Sequence, residues 1–261
     1  MVKTILITGA SSGIGAALAK HYAAEGKNLF LGGRDAERLK AVAESCERRG
    51  ASVQSKVLDV TNQSVMAEWI EACDALHPLD LVIANAGISG GTGGNPVAGE
   101  PVSQARKIFD VNVMGVLNTI EPVLPRMMER GTGQIAIMAS LAGFAALSGA
   151  PAYSASKSAV RVYGEALRGA VKGSGVKINV ICPGFIESRM TDANDFPMPL
   201  MMTAERAAEI MAEGLANNKG RIAFPWAMYA AVGMMGLLPQ FAIEKLSEIL
   251  PKKKTLPCGG K

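Results

Sequence analysis

Six short apolar runs recur along the chain, and a helix-length stretch separates most consecutive runs, a pattern that few folds accommodate. The runs are KTILIT (3–8), NLFLGG (28–33), SVQSKVLDV (52–60), LDLVIANAG (79–87), GQIAIMAS (133–140) and VKINVICPG (176–184). Most are apolar nearly throughout rather than alternating, as expected of strands buried on both faces. Segments 13–25, 35–49, 62–76, 103–130 and 153–173 read as helices, with Asp35 and Thr61 as expected N-caps. Strands joined through helices imply a parallel sheet with helices on both faces. The expected fold is therefore a doubly wound α/β sheet of Rossmann type. With 261 residues and 49% hydrophobic content, the chain can build one such domain around a substantial core. Residues 1–261 read as a single domain, with a looser, Met- and Pro-rich substrate-side extension from about residue 186.

Charge and cysteine usage exclude several function classes. A net charge of +4, with scattered Lys and Arg, does not build a nucleic-acid surface. Cys46, Cys73, Cys182 and Cys258 form no CxxC, and His21 and His77 are the two histidines, so neither a metal site nor a disulfide framework is expected. The N-terminal apolar run is too short for a signal peptide, and the expected compartment is the reducing cytoplasm.

Two motifs carry chemistry. TGASSGIG (8–15) leaves the first strand and opens the first helix, placing Gly9, Gly13 and Gly15 where a tight turn brings backbone close to a ligand. Ser11, Ser12 and Ile14 complete the turn, and the helix N-terminus offers free N–H groups to a pyrophosphate. YSASK (153–157) sets Tyr153 and Lys157 four apart, on one face of a helix. A phenol titrates near 10, too high for proton transfer at neutral pH, and a neighbouring ammonium lowers that value.

These pieces, with Asp59, NAG (85–87), Asn112, Ser140 and PG (183–184), occur in the order and at the separations of the short-chain dehydrogenase/reductase family, which the sequence resembles over residues 1 to about 190. The resemblance implies that Tyr153 is the general acid in carbonyl reduction and the base in alcohol oxidation. It implies that Lys157 holds the nicotinamide ribose, Ser140 donates to the substrate oxygen, and Asn112 sits in a local helix distortion that orders a water leading to Lys157. Asp59 and Val60 would meet the adenine. Asn85, Ala86 and Gly87 would lie over the adenosine ribose, with Ala84 replacing the family's first Asn. Pro183, Gly184, Ile186 and Ser188 would grip the carboxamide, with Ser188 where Thr is common.

Cofactor choice turns on LGGRD at the end of the second strand. Gly33 carries no carboxylate for a ribose 2′-hydroxyl, and Arg34 follows, suited to a 2′-phosphate. NADP(H) is favoured and NAD(H) stays open. Ser89, Phe144, Leu147, Met190, Phe196, Met198 and Met201 are the candidate pocket residues. This apolar, Met-rich set suggests a hydrophobic carbonyl or alcohol compound rather than a sugar or a charged acid. Two other readings stay open: a catalytically idle dinucleotide-binding regulator, and an epimerase or dehydratase on the same scaffold. By resemblance the chain is expected to form a homo-oligomer, a dimer or tetramer. Residues 222–243 contain no charged residue, but Pro225 and Pro239 leave too short a run to span a bilayer. They are expected to form a last strand and a helix covering the pocket or an interface. The sharper expectation is peripheral contact with a membrane surface, aided by Trp226, Tyr229, Lys252, Lys253 and Lys254.

Overall fold

The computed structural model describes residues 2–93, 99–192, 194–236, 238–239, 241–243, 245 and 253–256. Its strands are β1 (Thr4–Thr8), β2 (Asn28–Gly33), β3 (Ser52–Val57), β4 (Leu81–Ala84), β5 (Gly133–Met138), β6 (Val176–Pro183) and β7 (Arg221–Phe224). They form one parallel sheet in the order β3-β2-β1-β4-β5-β6-β7. The order reverses between β1 and β4, and the carboxyl ends of strands flanking such a reversal are where open α/β sheets bind ligands.

Period-two side-chain placement divides the core. Ile5 and Ile7 face one layer, where α1 (Gly13–Tyr22) and α2 (Ala36–Glu47) supply Leu18, Leu39 and Cys46. Leu6 faces the other, where α3 (Gln63–Leu76) supplies Met66, Trp69 and Ile70. Every residue of β1 is buried, whereas β3, at the sheet edge, exposes Ser52, Gln54, Ser55 and Lys56. Those polar residues suit an edge strand.

The expected helix 103–130 is broken. It runs as α4 (Val102–Phe109), a π-helical turn over Asp110–Met114, α5 (Gly115–Ile120) and α6 (Leu124–Glu129). The π-turn surrounds Asn112, whose amide bonds outside the helix, and Pro125, lacking an N–H, starts α6 afresh. Thr61 is not the N-cap of α3. Asn62 is, accepting from the Val65 N–H at 3.2 Å, while the Thr61 hydroxyl donates to Asp59 at 2.9 Å. Asp35 does cap α2, accepting from the Arg38 N–H.

α7 (Pro151–Ala170) begins two residues before Tyr153. It lies close to the sheet because Gly164 leaves no Cβ against Val180 and Ile137. Beyond residue 186, after the short α8 (Arg189–Asp192), two elements join the core. These are β7 and α9 (Ala204–Ala216), capped by Thr203 and seated on α1 through Ala207, Ala208, Met211 and Leu215. That spacing is a helical one, overlooked above amid the surrounding Met and Pro. α10 (Trp226–Met235) follows β7 and buries none of its residues fully.

Candidate active site

The Gly-rich turn and the segment after β4 meet at the reversal of the sheet. Gly9 adopts φ +67°, and a Cβ there would stand 2.8 Å from the Ala86 Cα. A Cβ on Gly15 would stand 2.2 Å from the Gly9 carbonyl oxygen. These glycines permit two backbones to touch. Thr8 and Asn85 lock the contact. The Thr8 hydroxyl accepts from the Asn85 and Ala86 N–H groups at 3.1 and 3.2 Å, and the Asn85 amide donates to the Thr8 carbonyl at 2.9 Å. Thr8 opens the Gly-rich motif, but the sequence alone gave it no role of its own.

α1 has no side-chain cap and no acidic residue in its first turn, so its first N–H groups are left for a ligand. They open on a groove lined by Ser11, Ser12, Gly13, Arg38, Glu187 and Ser188. Ile14 is partly buried against the α1 core layer. The uncapped helix start, the glycine cradle and the groove fit a dinucleotide pyrophosphate. Along the same edge, Asp59 accepts from the Thr61 N–H at 2.9 Å, and the Val60 carbonyl accepts from Asn118 at 2.9 Å. Gly184 follows β6 and leaves no Cβ against Met228 and Pro225. The Pro183 carbonyl lies 3.4 Å from the Ser140 hydroxyl, Ile186 is buried, and the Ser188 N–H donates to the Thr191 hydroxyl at 2.8 Å.

Arg34 is exposed at the end of β2 and makes no ion pair among the described residues. Asp35, the nearest carboxylate in sequence, is engaged by the Arg38 guanidinium at 2.9 Å and by the Arg38 N–H.

Asn112, Ser140, Tyr153 and Lys157 are all buried and cluster beyond β4 and β5. Burial pushes the Tyr153 phenol above its ordinary pKa, and a hydrogen bond with the Ser140 hydroxyl opposes that shift. Ser140 also accepts from the Ala142 N–H at 3.1 Å, which orients its oxygen. The Lys157 ammonium donates to the Met138 carbonyl at 2.8 Å. Burial lowers its pKa to about 8; Cys182 opposes the shift and Lys253 adds to it. Asn112 donates to the Ser156 hydroxyl at 3.0 Å and pairs with the Ile88 backbone, bridging the loop after β4 to α7. A Cβ on Gly87 would stand 3.2 Å from Asn112 Oδ1 and 3.3 Å from Lys157 Nζ, so glycine keeps open the space that both groups face.

The pocket candidates are placed variously. Ser89 accepts from Lys253 Nζ at 2.7 Å, and that ammonium lies 4.4 Å from the Tyr153 ring centroid. Phe144 holds its ring under Arg161 and Arg221, at 4.5 and 5.1 Å, and edge-on to Tyr229. Phe196 stacks edge-on with Phe185, Met198 Sδ accepts from Asn194 at 3.4 Å, and the Leu147 carbonyl accepts from the Ala150 N–H. Met190 and Met201 are exposed. Lys253 and Lys254, assigned above to a lipid surface, are otherwise engaged: Lys253 turns toward Tyr153 and Lys254 pairs with Asp195 at 3.1 Å. Lys252 lies outside the described residues.

Comparison with known proteins places this geometry in context. The family model described as short chain dehydrogenase matches residues 3–196. An uncharacterized oxidoreductase of Myxococcus xanthus is 40% identical over 238 residues, covering 91% of this chain and 93% of the relative. The 1-deoxy-11-beta-hydroxypentalenate dehydrogenase of Streptomyces exfoliatus is 30% identical over 223 residues, covering 83% and 81%. Among solved structures, levodione reductase superposes with a TM-score of 0.78 at 25% identity, over 88% of this chain and 98% of that one.

Proposed function

The chain belongs to the short-chain dehydrogenase family, and on that premise we propose that this oxidoreductase moves a hydride between NADP(H) and the carbonyl/alcohol pair of a hydrophobic substrate, with Tyr153 as acid/base. The observation that carries the reading is the buried Tyr153 phenol, bonded to Ser140 and one helical turn from the buried Lys157 ammonium. Such a cluster has little value for stability, because burying a phenol and an ammonium side by side is costly. It has clear value for moving a proton.

In reduction, Tyr153 donates its hydroxyl proton to the carbonyl oxygen as negative charge develops there. Ser140, its oxygen oriented by the Ala142 N–H, shares that oxygen as a donor and favours the transition state over the ground state. Lys157 stabilises the phenolate left behind. Asn112 holds the loop after β4 against α7, keeping the proton-handling groups in register. The nicotinamide cofactor, when bound, supplies the hydride. Gly9, Ser11, Ser12, Gly13, Ile14 and Gly15 would hold its pyrophosphate; Asp59, Val60, Asn85, Ala86 and Gly87 its adenosine end; and Lys157, Pro183, Gly184, Ile186 and Ser188 its nicotinamide end. Arg34, exposed beside Gly33 and without an ion pair among the described residues, supports NADP(H) over NAD(H).

The reading extends to a cytoplasmic homo-oligomer. α10 leaves Trp226 78% exposed and Met234 64% exposed, an apolar surface suited to a subunit contact or to peripheral association with lipid. No helix among the described residues is long and apolar enough to cross a membrane. Light scattering tests the first placement of α10, and co-sedimentation with anionic liposomes the second.

The test of function is NADPH consumption with a panel of ketones. Turnover that leaves net oxidised cofactor sustains the reading. Tight cofactor binding with no turnover of any carbonyl would instead indicate a regulator. Substrate conversion without net oxidation would indicate epimerase or dehydratase chemistry.

A further inference from the structure

Lys253 is in an unusual place for a surface-type residue. The segment Lys253–Leu256 lies along the loop after β4 as a strap, held through its backbone. The Gly91 N–H donates to the Lys254 carbonyl and the Gly93 N–H to the Lys253 carbonyl, both at 2.9 Å, and the Leu256 N–H donates to the Gln104 side chain. A Cβ on Gly91 would stand 2.6 Å from the Lys253 Cβ, so glycine lets the two backbones approach. None of these anchors uses the Lys253 side chain, which is free to point inward. Its ammonium stands 2.7 Å from the Ser89 hydroxyl and 4.4 Å from the Tyr153 ring centroid.

No carboxylate among the described residues lies within ion-pair distance of that ammonium. The nearby acids are engaged elsewhere: Glu100 accepts from the Ala152 N–H and from Gln104, and Asp195 pairs with Lys254. A cation withdrawn from water wants an anion, and one hydroxyl and one ring face satisfy it only in part. Lys157, the other cation of the cluster, bonds the Met138 carbonyl and is assigned above to the phenolate and the nicotinamide end of the cofactor. One uncommitted positive charge therefore faces the place where the reacting carbonyl would sit.

We propose that Lys253 determines substrate specificity by receiving a carboxylate carried within a few bonds of the reacting carbonyl. A monoanion matches the single uncommitted charge, and the position of the ammonium over the Tyr153 ring sets the short separation. The substrate is then an oxo acid with an apolar body, which amends the uncharged compound that the apolar pocket candidates alone suggest. The inference rests on the oxidoreductase reading of the same site.

The experiment compares benzoylformate with methyl benzoylformate, an acid and its neutral ester, in the full chain and in Lys253→Met and Lys253→Arg. A charge-assisted hydrogen bond of this kind corresponds to about 10- to 150-fold. Lys253→Met is expected to lower the acid-to-ester ratio of kcat/KM by about that factor, chiefly through KM, and Lys253→Arg to restore most of it. A structural role would depress both substrates and leave the ratio in place; an unmoved ratio overturns the proposal while leaving the oxidoreductase reading intact. If neither ketone is consumed, calorimetric titration with benzoate and benzamide decides. Selective binding of benzoate that is lost in Lys253→Met sustains the anion site. Equal binding of the two, or no binding of benzoate, overturns it. Failure of the oxidoreductase reading is seen separately, as absence of cofactor turnover with any carbonyl.

Discussion

Asn112 and Ile88, 24 residues apart, exchange two hydrogen bonds: the Ile88 N–H donates to Asn112 Oδ1 at 2.8 Å, and Asn112 Nδ2 donates to the Ile88 carbonyl at 3.0 Å. The side-chain amide thus acts as a backbone partner for the loop that leaves the sheet after β4. It does so from a π-turn, where the widened helix lets it also reach Ser156. Asn112→Ala would leave the Ile88 N–H and carbonyl with no partner in a partly buried site. The expected loss of stability is about 2–4 kcal/mol, read by urea unfolding. A loss below about 1 kcal/mol would show that solvent replaces these bonds.

The parts of this molecule visible in the sequence are those fixed by local rules. Apolar runs marked β1, β2, β4, β5 and β6 because both faces of each are covered, and Asp35 marked α2 because capping acts over three residues. Gly9 and Gly15 were visible because only glycine tolerates their contacts. What stayed hidden depends on distant partners. Asn62 rather than Thr61 caps α3 because the Thr61 hydroxyl has Asp59. α9 has good periodicity but short, Ala-rich apolar positions whose value comes from α1. Lys253 looks like one of three equivalent surface lysines, and what singles it out is its side chain reaching Ser89 and Tyr153 from a strap paired with Gly91 and Gly93.

Tyr153→Phe removes one hydroxyl from a buried ring and leaves its packing in place. Turnover is expected to fall by about 10²- to 10⁴-fold, with cofactor affinity and thermal midpoint nearly unchanged. Steady-state kinetics alongside a fluorescence titration of cofactor would check this. Retention of half the original kcat would remove Tyr153 from the acid/base role.

Arg34→Ala tests cofactor choice at the end of β2. Asp35 is held by Arg38, and Gly33 offers no side chain, so Arg34 is the charge available to a 2′-phosphate. NADPH affinity is expected to fall about 10- to 150-fold, with NADH affinity little changed. Titration of both cofactors into both proteins measures the selectivity. An unmoved ratio would exclude Arg34 as its source.

Lys157→Met should stabilise the cofactor-free protein while abolishing turnover. Burial lowers the Lys157 pKa from 10.5 to about 8, so keeping it charged in the folded state costs free energy below about pH 8. Between about pH 8 and 10.5 the unfolded chain binds this proton and the folded chain does not, so the contribution of this group to stability rises with pH across that window. Methionine carries no such cost at any pH. Some of the gain is lost with the hydrogen bond to the Met138 carbonyl. The net difference at pH 7 is expected to be on the order of 1 kcal/mol, or roughly 2–4 °C in Tm. That difference should hold up to about pH 8 and shrink between about pH 8 and 10.5; well above 10.5 Lys157 is neutral in both states. Lys253, also lowered to about 8 by burial, and Cys182 both interact electrostatically with Lys157, so the comparison reports Lys157 together with that coupling. Melting curves of the two proteins at matched pH provide the measurement. A variant less stable than the original at pH 7, or a difference independent of pH, would mean that Lys157 is not held at an electrostatic cost in the free protein.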